Sequence, residues 1–94
     1  MQYRVALIGI VVENPDSVEL LNGILHDYGS YIIGRMGIPH HRRNVNIISI
    51  AIDAPQDVIS ALSGKLGRLK GVSSKTVYSN IISEEEIWEN LLIN

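Results

Sequence analysis

The densest group of chemically able side chains in the sequence is His40-His41-Arg42-Arg43. Imidazoles ligate Zn, Ni or Cu, and guanidinium groups grip carboxylate or phosphate in a bidentate fork. Adjacent residues of an extended segment point to opposite sides, so His40 and His41 rarely close on one ion. They read as a solvated hairpin tip, and as metal candidates only if a second subunit completes the set. The remaining histidine, His26, sits beside Asp27 on a helical stretch, away from its apolar stripe.

Ser63-Gly64-Lys65 resembles the end of a phosphate loop. The Walker pattern, however, needs a glycine five residues before its Gly-Lys pair, where Ile59 stands, and Ser or Thr after the lysine, where Leu66 stands. Nucleotide binding is not supported. The acids Asp16, Glu19 and Asp27 lie on or near one helix and read as solvating. Glu84, Glu85 and Glu86 follow Ser83 as a capping box and suit the positive end of a helix. With no cysteine in the chain there is no thiol nucleophile, thiolate metal site or disulfide. No catalytic residue and no cofactor are expected, and a non-enzymatic role is the reading.

The elements that would position these groups follow from periodicity. Tyr3 to Val12 is apolar on both alternating sets, as in a central strand with both faces covered. Asn14-Pro15 supplies a cap and a residue pre-set for the first helical turn, and Val18, Leu21, Ile24, Leu25 and Tyr28 recur at helical spacing up to Gly29. Tyr31 to Ile38 and Val45 to Asp53 read as a hairpin joined by the polar stretch Pro39 to Asn44. Asp53-Ala54-Pro55 opens a second helix with Val58, Ile59, Leu62, Leu66 and Leu69 on one stripe. Gly71 ends it, and Val72 to Ser79 alternates as a fourth strand. Ile87, Trp88, Leu91 and Leu92 predict a C-terminal helix.

The order β-α-β-β-α-β is that of the α+β, ferredoxin-like split βαβ fold, an antiparallel sheet with two helices on one face. Residues 1–79 form this domain and residues 80–94 a helical extension. Two helices cover one sheet face only, whereas the first and third strands are apolar on both. The second face is therefore expected to meet the C-terminal helix, a second subunit, or both. A homo-oligomer, dimer or tetramer, through sheet faces or edges is the expectation. Ser60, Gly64 and Gly67 form a smooth strip on the second helix. Since glycine costs about 1 kcal/mol against alanine inside a helix, a close backbone neighbour is expected there.

A chain of 94 residues is one domain with a modest core, here built from Ile, Leu and Val with no Phe and one Trp. The formal net charge of −2 argues against nucleic acid as the main partner. The longest apolar run, Val5 to Val12, is too short for a membrane span and lacks the flanks of a signal peptide. A cytoplasmic protein is expected, with no membrane partner.

Val11-Val12-Glu13, the Tyr31 to Pro39 segment ending Arg35-Met36-Gly37-Ile38-Pro39, and ALSGKLGRLKGVSSKTV from Ala61 to Val77 resemble a small family described as iron-only hydrogenase system regulators. That family is similar to ACT domains and to the ligand-binding half of nickel-responsive repressors. The resemblance covers residues 3 to 78. It implies an ACT-like fold, association through the sheets, a regulatory role and a possible small-molecule effector. In ACT domains a small ligand sits near the loop from strand one to helix one, whose pattern resembles Asp-x-Pro-Gly. Here that loop is Glu13-Asn14-Pro15-Asp16-Ser17, so Asn14, Asp16 and Ser17 are the candidate ligand-binding residues. Asp16 replaces the glycine and brings negative charge where a ligand carboxylate would approach. The repressors' nickel site has no counterpart beyond His40 and His41. The alternatives are a small dimeric ferredoxin-like enzyme and a metal-binding protein with an interface histidine site.

Overall fold

The computed structural model describes residues 2–84. Four strands, β1 (Gln2–Val12), β2 (Ile32–His40), β3 (Val45–Ala54) and β4 (Val72–Glu84), alternate with two helices, α1 (Val18–Asp27) and α2 (Gln56–Gly67), in the order β1-α1-β2-β3-α2-β4. The sheet runs β2-β3-β1-β4 with every neighbouring pair antiparallel. This is the α+β ferredoxin-like arrangement. Short 3-10 turns at Pro15–Ser17 and Gly29–Tyr31 lead into α1 and β2.

The strand pattern has a simple cause: side chains alternate across a pleated sheet, so even and odd positions meet different surroundings. On β1 the even set, Ala6, Ile8, Ile10 and Val12, is buried, and on β3 so are Ile48, Ile50, Ile52 and Ala54. Leu21 and Leu25 of α1 and Ile59, Leu62 and Leu66 of α2 close this core from above. Val18, Ile24, Tyr28, Val58 and Leu69 flank it, so both helical stripes face the sheet as their spacing requires.

The other face is apolar and uncovered among the described residues. Val5, Leu7, Val11, Ile47, Met36, Ile38 and Val77 are exposed by 38% to 67%. Register assembles them into rows. Ile38, Ile47 and Val11 lie side by side, as do Ala51, Leu7 and Val77, with Met36, Ser49, Gly9 and Lys75 between them.

Two sequence expectations change. β4 continues past Ser79 to Glu84, pairing Ser83 with Tyr3 and Glu84 with Gln2 across a register shift between Arg4 and Ala6. Ladder hydrogen bonds on the free edge of β1 thus take residues 80–84 into the sheet, and Ser83 is a strand residue instead of a helix cap. The helix expected around Ile87, Trp88, Leu91 and Leu92 lies outside the described residues. No described helix is long and apolar enough to cross a membrane.

The glycine strip also reads differently. A Cβ added to Gly64 would meet only the Arg68 guanidinium at 3.9 Å, and one on Gly67 nothing within 4 Å. Among the described residues no backbone comes close there, so neither a loop nor α1 supplies the close neighbour, and of the sources considered a partner subunit is left. With that space open, Gly64→Ala should raise stability by about 0.5–1 kcal/mol through helix propensity and lower unfolded-state entropy. Urea unfolding would register this as a higher midpoint.

Candidate functional site

The loop from β1 to α1 holds the three residues singled out as ligand candidates, and the structure ties each into the loop's own geometry. Asn14 is extended, and its side-chain oxygen accepts from the Asp16 backbone N–H at 3.0 Å, capping the 3-10 turn. Ser17 is buried, and its hydroxyl donates to the Lys70 carbonyl at 2.6 Å. The Glu13 N–H donates to the Gly71 carbonyl at 2.7 Å. Of the three candidates, only Asp16 is an exposed residue.

The loop is therefore clamped against the turn from α2 to β4. At its centre Gly71 adopts φ +69°, and a Cβ there would lie 2.6 Å from the Asn14 Cβ and 2.9 Å from its nitrogen. A glycine is needed at this position for two reasons, the left-handed backbone and the missing side chain. The Ser17 hydroxyl satisfies a carbonyl at the foot of this turn, so Ser17→Ala should cost about 1–2 kcal/mol in chemical denaturation. A cost near zero would mean that solvent replaces the bond freely.

A shallow groove of about 220 Å³ opens one helical turn further along, between α1 and the edge strand β2. Val18 and Asn22 form one side, Arg35 and Gly37 the other, and Asn46 and Ile48 contribute from β3. Arg35 Nη2 donates to the Asn22 side-chain oxygen at 2.5 Å. Arg35 and Gly37 pair with Ile50 and Ile48, whose side chains are buried under the helices, so Arg35 rises on the helix side of the sheet. Sequence periodicity named Arg35 only as part of a motif. The usable signal was its alternation with Met36 and Ile38, which puts the arginine and the apolar residues on opposite faces.

His40 ends β2 and His41 begins the turn to β3, in which Asn44 takes φ 55°. Both histidines are exposed, and no group of three or more His, Cys, Asp or Glu side chains comes together among the described residues. At the far end of the sheet Arg4 donates to the Gln56 side chain at 3.0 Å and to the Ser79 carbonyl at 3.0 Å. Its guanidinium lies 4.6 Å from the Tyr78 ring centre. Gln56 donates in turn to the Tyr78 hydroxyl at 2.8 Å. This network staples the start of α2 to β4.

On the open sheet face the strand positions carry one ammonium, Lys75, opposite Gly9, and one carboxylate, Asp53, opposite Val5. Asp53 Oδ1 is out of contact with solvent and has no hydrogen-bond partner.

Comparison with known proteins matches residues 4–76 to a family model described as "TM1266-like: Iron-only hydrogenase system regulator, putative". Among solved structures, the chain is similar to the uncharacterized protein TM1266 from Thermotoga maritima. Identity is 36% and the TM-score 0.78, over 81% of this chain and 96% of that one. It also resembles a formyltetrahydrofolate deformylase from Pseudomonas putida KT2440 at 10% identity and a TM-score of 0.60, spanning 82% of this chain but only 29% of the deformylase. A third likeness is to CPII, a nitrogen regulatory PII-like protein from Thiomonas intermedia K12 solved with ADP, AMP and bicarbonate. It has 15% identity and a TM-score of 0.55, over 90% of this chain and 98% of that one. The last two show shared fold alone. No curated protein matches the chain.

Proposed function

This chain belongs to the TM1266-like family of iron-only hydrogenase system regulators, and from that premise we propose that it is a non-enzymatic, ACT-like regulatory module that senses a small ligand. It works as a homo-oligomer joined through the open face of its sheet. The observation that carries the reading is that face, where register places seven exposed aliphatic or thioether side chains, Val5, Leu7, Val11, Met36, Ile38, Ile47 and Val77, on the side away from the helices.

Fully burying one such side chain contributes about 1.5–3 kcal/mol, and a half-exposed one about half of that. Counted on both facing protomers, these side chains contribute on the order of 10–20 kcal/mol, against the roughly 4–15 kcal/mol that association costs in lost freedom. The balance favours a second protomer only if it covers most of the face.

A regulatory role also agrees with the way the polar side chains are employed. Asn14, Ser17, Arg4, Gln56 and Tyr78 all serve hydrogen bonds that join elements of the fold. Light scattering on wild type and on a variant of the open face tests the reading. The wild type should be an oligomer and the variant a folded monomer.

A further inference from the structure

We infer that the groove between α1 and β2 is a binding site for a small organic carboxylate with a short aliphatic body, its carboxylate on Arg35 and its tail against Val18 and Ile48. The inference deepens the ligand-sensing reading and rests on it for its regulatory meaning only.

The first ground is the state of Arg35. A guanidinium has five N–H donors in a rigid fork that matches a carboxylate in two parallel bonds. Here one of them is fixed by Asn22, a neutral amide, and no carboxylate lies in ion-pair range among the described residues. The Asn22 contact holds the side chain across the groove while leaving its charge unneutralised. An arginine positioned by an amide is ready to accept an anion; one positioned by a carboxylate is already matched.

The second ground is the lining. Beside the cation are Val18, Ile48 and the bare backbone at Gly37, with the amides of Asn22 and Asn46 at the rim. Apolar wall plus a few convergent polar groups is the usual make-up of small-molecule sites. The volume of about 220 Å³ lies below the roughly 300–1,000 Å³ of drug-sized pockets. That restricts the ligand to a molecule of a few heavy atoms.

The third ground is what the neighbouring loop cannot do. The candidate residues Asn14 and Ser17 already have partners, Asn14 crowds Gly71, and Asp16 presents negative charge. An anion is repelled at the loop and attracted one helical turn away, where Arg35 stands.

The test is an NMR titration of the full chain with 4-methylpentanoate, its neutral amide, and inorganic phosphate. In wild type, the carboxylate should give saturable shifts at the amides of Val18, Asn22, Gly37 and Ile48, with a dissociation constant of roughly 1 mM or tighter. Arg35→Gln, at an exposed position, should weaken it at least tenfold with the remaining amide shifts unchanged. The neutral amide should be weaker by a similar factor. Absence of saturable shifts up to roughly 10 mM, equal binding by Arg35→Gln, or equal binding of the amide would overturn the site. Phosphate binding as strongly as the carboxylate would overturn the aliphatic part of the recognition. Shifts confined to Asn14, Asp16 and Ser17 would overturn the groove while leaving ligand sensing intact, and the oligomeric mass is read separately.

Discussion

Gly71→Val is expected to destabilise the protein by about 3–5 kcal/mol, a large part of the 5–15 kcal/mol that a small domain possesses. Two effects add. A β-branched residue at φ +69° costs on the order of 1–3 kcal/mol in backbone strain. The new Cβ would also stand 2.6 Å from the Asn14 Cβ and 2.9 Å from its nitrogen, so the loop must withdraw. Withdrawal breaks the Glu13 to Gly71 and Ser17 to Lys70 hydrogen bonds, at about 1 kcal/mol each. In urea the midpoint should fall by roughly 2–3 M, taking a slope of about 1.6 kcal/mol/M within the usual range of about 1–3. A loss under about 1 kcal/mol would show that the two loops are not clamped together. Gly64→Ala, in open space, is the control of opposite sign.

Leu7→Lys should convert the oligomer to monomer without unfolding it. Leu7 lies in the middle of the open face between Ala51 and Val77, and its side chain is half exposed, so a lysine there can reach water in the monomer. In a face-to-face assembly the change enters once per protomer, removing apolar contact and burying an unpaired charge. A total of about 3–6 kcal/mol corresponds to a dissociation constant raised roughly 100- to 20,000-fold. Leu20→Lys is the matched control, since Leu20 is an equally apolar, exposed residue on α1, away from the sheet face. Circular dichroism should be unchanged in both, and only Leu7→Lys should lose mass. Dissociation by Leu20→Lys instead would move the interface to the helices.

Much of this architecture was legible because apolar periodicity is a direct record of which side of an element is dry. Ile8, Ile10, Ile50 and Ile52 alternate with Leu7, Val11, Ile47 and Ala51, and the second set, apolar yet uncovered by helices, announces the open face before any coordinates. The helical stripe of α2 is equally plain, with Ile59, Leu62 and Leu66 buried where the spacing puts them. Asn14 reads as the cap of the first helix, and it caps the 3-10 turn that leads into that helix.

What could not be read depends on contacts distant in sequence. Residues 80–84 follow the strand because β1 offers them a free edge, although Ser83 and the glutamates after it look locally like a helix start. Gly64, Gly67 and Gly71 look alike in ALSGKLGRLKGV, but only Gly71 meets another backbone, that of Asn14, more than fifty residues earlier in the chain. The groove residues Asn22 and Arg35 come together through the crossover of α1 over the sheet, which no local spacing encodes.

The central claim is that a second copy of the chain covers the open sheet face. Sedimentation velocity of the wild-type protein at micromolar concentration measures it most directly. The account predicts a species of at least twice the 10.4 kDa chain mass, reduced to 10.4 kDa by Leu7→Lys. A wild-type protein that sediments only as a 10.4 kDa monomer across this range would contradict it.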